Sequence, residues 1–223
     1  MGQLIAATVV FIMTHTLPCR TPVRGWLVGR LGEKGFQLAY SLVSAVTLGW
    51  MILAFVQAPR QTLWDGEGLA WLPLVVMPLA LYLVVAAYSG GNPTGLYQET
   101  ALKRKTPARG VLRITRHPML WGTILWASAH ILASGQDTVL VFLGGFLVES
   151  LLGTVMIDRK RAALGAEWSA YRAVTSNVPF AAILSGRNHL DFRELGVLAP
   201  VIALGLYASL ILLHPYLFGV PAF

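Results

Sequence analysis

The sequence predicts an all-α fold, a polytopic membrane bundle of about six transmembrane helices with both termini on the outer side, and three observations carry that reading. Of the 223 residues 56% are hydrophobic and 12% charged, where a soluble domain is about 25% charged. Six apolar runs approach the length of about 17 to 25 residues that crosses a ~30 Å hydrocarbon core. Lys and Arg are sorted to one side: of the 17, only Arg60 falls outside the segments Arg20–Lys34, Ser89–His117 and Ile157–Glu194. Six spans place those three segments together, and the positive-inside rule makes them cytoplasmic.

The first run, Gln3–Pro18, lacks the basic start and small-residue cleavage site of a secretory signal and reads as a retained helix. Phe36–Gln57 and Leu69–Tyr88 follow as the second and third spans. After them "SGGNPTGLYQETALKRKTPARG" holds Gly90, Gly91, Pro93 and Gly95, which forbid regular helix. The basic run Lys103–Lys105 then reads as a contact for anionic lipid headgroups, with a phosphate-bearing substrate as the alternative. Pro118–Ser134, Val139–Met156 and Leu195–Leu213 complete the set. No linker, repeat or low-complexity tract interrupts residues 1–223, which read as a single integral membrane domain.

Composition also excludes. The net charge of +7 has no soluble domain to sit on, so it marks a membrane face and not a nucleic-acid interface. The single cysteine, Cys19, excludes an intramolecular disulfide. No Ser-His-Asp order, zinc spacing or carboxylate pair offers hydrolytic chemistry a foothold.

Ionisable residues within spans are functional candidates because the bilayer offers them no water. His15, His130 and Glu149 qualify. At a rise of ~1.5 Å per residue, His15 lies about 18 Å below the outer face and His130 about 18 Å above the inner face. In a ~30 Å core their depths differ by about 6 Å, so the two could share a ligand. Met119, Thr123, Ala127 and Ser134 share the face of His130, and three of the four are small, which leaves room for a flat cofactor or for close helix packing. A bound metal or haem at His15 and His130 and plain interhelical hydrogen bonding both satisfy this pattern. Glu149, flanked on its face by Gly145 and Gly153, suits a proton relay or, more simply, a partner for an arginine or hydroxyl. For His117 the local sequence "TRHP" reads as a helix start at the inner interface, with Thr115 as cap and Pro118 in the first turn.

With "MTHTLP", "RLGEKGFQLAYSLVS", "RHPMLWGTILWASAH" and "DRKRAALGAEWSAYRAVTSNVPF" in place, the chain resembles the NnrU family of bacterial membrane proteins, named for an association with nitrite and nitric oxide metabolism. Through it the chain is similar to plant 15-cis-zeta-carotene isomerases, haem b proteins that turn a central cis double bond of a polyene to trans. The resemblance implies a multi-pass protein of the bacterial cytoplasmic (inner) membrane, with lipid and a hydrophobic polyene as partners and no nucleic acid. It implies haem b on His15 and His130. The isomerase pattern has cysteine three residues before the second histidine, where this chain has Ala127; Cys19 is the remaining thiol, with Pro18 in the intervening turn.

A second resemblance, carried by "RHPMLWG" and by Gly165, Trp168, Tyr171 and Pro179, is to the isoprenylcysteine and phospholipid methyltransferases. It implies S-adenosylmethionine as the alternative cofactor, a lipid substrate, and His117 among the cofactor-binding residues. Those enzymes carry paired glutamates where this chain reads Asp158-Arg159.

Overall fold

The computed structural model describes residues 1–18, 21–95 and 98–222, which leaves Cys19 and Arg20 outside. The architecture is all-helical: α1 (Gly2–Thr16), α2 (Thr21–Gln57), α3 (Trp71–Ser89), α4 (Val111–Ile114), α5 (Pro118–Ser134), α6 (Asp137–Arg161), α7 (Ala166–Val174), α8 (Ala181–Leu184), α9 (Phe192–Leu195) and α10 (Leu198–Phe218). Among the described residues four stretches are long and apolar enough to cross a membrane: Pro22–Gln57, Glu67–Ser89, Asp137–Leu164 and Leu198–Phe218. Their apolar side chains stay exposed, among them Val46, Leu53 and Val56 of α2 and Val201, Leu204 and Leu212 of α10. Hydrocarbon covers such faces without cost, whereas water does not. Helices α1 and α5, with 15 and 17 residues, are shorter than these.

One boundary differs from the sequence reading. The segment expected to link the first two spans is largely helical from Thr21, and the break falls at Gly32, whose φ of 69° and ψ of 166° leave the helical region. Pro22 fits a first helical turn, where its missing N–H costs nothing. Glycine supplies the left-handed φ that ends the first stretch before the apolar one begins.

The chain divides into two compact units. The first comprises Met1–Leu69 and Ala127–Met156. Its core sets Leu4, Ala7 and Phe11 of α1 beside Met51 and Ala54 of α2, with Phe142 and Phe146 of α6 packed on them. Gly145 permits this approach, since a Cβ there would come 2.6 Å from the Thr8 methyl. The α2–α3 connection is tied to the α5–α6 turn by Leu63 N–H to the Gly135 carbonyl (2.8 Å), Asp137 N–H to the Gln61 carbonyl (3.0 Å) and the Trp64 indole N–H to the Leu132 carbonyl (3.1 Å).

The second unit comprises Ala70–Trp126 and Ile157–Phe223. Here α3 packs along α10, fastened by the Tyr207 hydroxyl donating to the Leu74 carbonyl at 2.8 Å. Leu83, Ala86, Val111, Leu112 and Ala199 form one core, and Leu102, Ala108, Trp168 and Tyr171 another. The start of α5 lies against α3 so closely that a Cβ on Gly122 would come 2.7 Å from the Ala80 carbonyl oxygen.

That contact makes a controlled prediction. Gly122→Ala forces backbone apart and lowers stability by about 1–3 kcal/mol. Gly144→Ala, with nothing within 4 Å of its new methyl, leaves stability unchanged or slightly raised, because alanine is the better helix former. Thermal unfolding of both variants in detergent measures the difference, and equal midpoints would contradict the packing.

Candidate functional site

In the first unit His15 stands in the last turn of α1, and its Nδ1–H donates to the Phe11 carbonyl one turn back at 2.8 Å. A carbonyl only accepts, so the proton is fixed on Nδ1 and the lone pair on Nε2. The ring lies 4.1 Å from that of Phe11 and meets Tyr40 edge-on at 5.8 Å. A backbone carbonyl holding one ring nitrogen while the other keeps its lone pair is the usual support of a metal-ligating histidine. The donor chemistry of His15 therefore fits an axial haem ligand.

His130, on α5, belongs to the same unit, is half-buried and has a partner of its own. The methyl of Ala127, one turn earlier, is fully buried. Glu149 is also in this unit. Its Oε2 is buried without a hydrogen-bond partner, so the arginine or hydroxyl expected to pair with it is not met at that oxygen. The Thr8 and Ser44 hydroxyl oxygens are buried and unpartnered in the same way. Among the described residues no three or more His, Cys, Asp or Glu side chains gather as a metal site; a pair of axial imidazoles requires only two.

His117 belongs to the second unit. It does begin a helix: the Thr115 hydroxyl oxygen accepts from its backbone N–H at 3.2 Å, and α5 starts at Pro118. The sequence reading missed what the side chain does. The imidazole is completely buried, and its Nε2–H donates to Asp158 Oδ1 at 2.8 Å. Arg116 grips the same carboxylate, with Nε 2.9 Å from Oδ1 and a terminal guanidinium nitrogen on Oδ2. Burial holds His117 below its ordinary range despite Asp158, so the imidazole is neutral near pH 7 and Arg116 is the ionic partner. The cluster is anchored on every side. Arg116 N–H reaches the Ser176 carbonyl at 2.9 Å, the Thr94 hydroxyl donates to the Arg116 carbonyl at 2.6 Å, and the Thr115 hydroxyl donates to the Asn177 carbonyl at 2.6 Å.

A second ion pair lies in the same unit. Arg113 binds Glu194 through two nitrogens, at 2.6 and 2.8 Å, and Gly110 N–H donates to Glu194 Oε2 at 2.8 Å. The Arg113 guanidinium pulls the Glu194 carboxyl down to about 2. The adjacent Arg-His before Pro118 and the lone Asp158 ahead of Gly165 were the sequence signals for the first cluster; nothing marked Glu194.

A family model described as NnrU protein matches residues 3–222. The chain is similar to the chloroplastic 15-cis-zeta-carotene isomerase of Arabidopsis thaliana, 34% identical over 207 residues that cover 85% of this chain and 53% of the relative. It is similar to the chloroplastic 15-cis-zeta-carotene isomerase of Zea mays, 31% identical over 234 residues, covering 95% of this chain and 59% of the relative. The chain thus spans little more than half the length of these curated relatives. No solved structure matches it.

Two stability predictions arise from these clusters. Asp158→Asn leaves the Arg116 cation buried without its counter-charge, and stability falls by about 3 kcal/mol, read as a lower unfolding midpoint; a midpoint equal to wild type would show that the pair contributes nothing. For Glu194 the folded value of about 2 lies below the ordinary 4.5. Its contribution is complete above the ordinary value and is lost as pH falls from about 4.5 toward 2. Glu194→Gln is therefore less stable than wild type at neutral pH, and the gap narrows through that acid window in unfolding curves taken across it. A gap constant with pH contradicts the assignment.

Proposed function

The chain belongs to the NnrU family, and from that premise we propose that it is a polyene cis–trans isomerase-like membrane protein holding haem b through His15 and His130. The observation that carries the proposal is the His15 imidazole, whose Nδ1 is occupied by the Phe11 carbonyl and whose Nε2 keeps its lone pair. Similarity to two carotene isomerases over most of this chain supports the polyene as substrate class.

The membrane arrangement that suits this function has six spans, α1 and α5 crossing beside the four longer stretches, with both termini outside and the basic segments at the cytoplasmic face of a bacterial inner membrane. Arg60 stands alone on the opposite side in this arrangement.

When bound, haem b supplies a redox-active, Lewis-acidic iron able to lower the π order of a double bond so that rotation becomes accessible. The chain's own residues do the rest. The Phe11 carbonyl fixes the tautomer and orientation of His15, and the apolar core of Leu4, Phe11, Met51 and Phe146 excludes water from this unit. With alanine at position 127, α5 offers no thiol there, and the imidazoles of His15 and His130 would hold the iron. The methyltransferase alternative receives less support, because the carboxylate at the corresponding place, Asp158, is engaged by Arg116 and His117.

Protein purified in detergent from haem-sufficient cells is expected to show a Soret band that is lost or shifted in His15→Ala and in His130→Ala. Colourless wild-type protein that does not take up added haemin would overturn the proposal, as would a band indifferent to both substitutions. Heat stabilisation of such colourless protein by S-adenosylmethionine would move the assignment to the methyltransferase class.

A further inference from the structure

The second unit contains a cleft of about 530 Å³ that the function above does not use. Its place in the fold is specific. It opens where α3 ends at Ser89 and α10 begins at Leu198, two helices long and apolar enough to cross a membrane. Where two spans terminate together, the surroundings change from hydrocarbon to headgroup. The volume is that of a ligand pocket.

The lining is two-faced. Ala86, Leu112 and Ala199 form a buried apolar wall, and Arg104 and Arg109 stand at the polar side. Arg104 is held in place: its guanidinium donates to the Gly90 carbonyl and lies against Gly91, where a Cβ would come within 2.5–2.6 Å of it. Glycine at that position, with φ of 75°, is what allows the side chain to lie so close.

The charge at the cleft is unbalanced. Glu194 also lines it, but Arg113 already binds both its oxygens. Neither Arg104 nor Arg109 has a carboxylate within salt-bridge distance among the described residues. The first turn of α10 has no side-chain cap, and although Pro200 brings no N–H, the Leu198 and Ala199 N–H groups give the helix start a partial positive charge. Finally Tyr82 is among the lining residues, and its hydroxyl oxygen is buried and lacks a hydrogen-bond partner. A buried hydroxyl without a partner is costly to keep unless something satisfies it.

We infer that this cleft binds the phosphate-bearing head of an anionic membrane lipid. Arg104, Arg109 and the start of α10 receive the phosphate, the Tyr82 hydroxyl meets a glycerol or ester oxygen, and the first methylenes lie along Ala86, Leu112 and Ala199. A zwitterionic head brings a cation to a site already carrying two uncompensated arginines and binds less well. Free phosphate brings the charge but leaves the apolar wall and Tyr82 without a partner.

Native mass spectrometry and thermal unfolding of the whole protein in neutral detergent test this with three probes: dioctanoyl phosphatidylglycerol, dioctanoyl phosphatidylcholine and inorganic phosphate. Phosphatidylglycerol is expected to bind about tenfold or more tighter than phosphatidylcholine, as the loss or gain of one charge-assisted hydrogen bond implies, and to raise the unfolding midpoint where phosphate does not. The preference is expected to vanish in the Arg104→Gln, Arg109→Gln double variant and to persist in Lys160→Gln, whose charge is exposed and away from the cleft, while Tyr82→Phe is expected to weaken the binding of both lipids. Equal binding of the two lipids overturns the inference. So does stabilisation by phosphate alone, which would make the ligand a free anion, and so does a preference lost equally in Lys160→Gln. Should the double variant fail to fold, Tyr82→Phe decides, because unchanged phosphatidylglycerol affinity there contradicts the assigned contact.

Discussion

The structure of the second unit depends on one carboxylate. Asp158, at the foot of α6, takes hydrogen bonds from Arg116 and His117, consecutive residues that immediately precede α5. Two adjacent side chains aimed at one acceptor fix the rotation of the α5 start as well as its position. Residues 175–177, beyond α7, are then tied to the same turn through the Ser176 and Asn177 carbonyls. An ion pair this buried gains little net stability over an apolar packing of the same volume, because desolvation offsets most of the attraction. What it supplies is direction. Apolar helices slide and rotate against one another at small cost, whereas a buried guanidinium accepts one geometry.

Glycine complements this constraint. Gly122 lets α5 approach the α3 backbone, and Gly91 lets Arg104 lie flat on the chain. The Gly122 contact is limited by the Ala80 backbone, so no rotamer change relieves an added methyl there, whereas at Gly91 the neighbour is the end of the Arg104 side chain and the left-handed φ of 75° is what favours glycine. The Gly32 break in α2 works differently: it ends a helix by conformation and not by packing, with no neighbour within 4 Å.

Much of the fold was legible because hydropathy is a local property. The expected segment Pro118–Ser134 coincides with α5, and Leu69–Tyr88 differs from α3 by one or two residues at either end. The helical character of Thr21–Leu31 was not legible, since its arginines and glycines read as loop under a rule that weighs charge by segment. The site was legible only in part. His15, His130 and Glu149 stood out because an apolar stretch makes any ionisable residue conspicuous, and the structure places all three in one unit. Partners distant in the chain did not stand out. Asp158 lies 42 and 41 residues from Arg116 and His117, and Glu194 lies 81 from Arg113, separations that no periodicity reports.

His15 and His117 show how the same side chain is put to different ends. Each has its proton fixed by an acceptor, a backbone carbonyl for His15 and a carboxylate for His117, so each presents one lone pair on the remaining nitrogen. For His117 that nitrogen, Nδ1, is buried and unpartnered within a side chain wholly removed from solvent. Its carboxylate partner is simultaneously neutralised by Arg116, so the electron-donating push that a carboxylate gives a ligating imidazole is reduced. His15 has no such competitor: its acceptor is an uncharged carbonyl of its own helix, and its ring is only half-buried, flanked by Phe11 and Tyr40. An imidazole in contact with two aromatic rings, its second nitrogen unprotonated, is a surrounding that a flat, apolar macrocycle could share, and a closed ion cluster is not. The physical distinction between the two imidazoles therefore lies in what surrounds the unprotonated nitrogen rather than in how either proton is held.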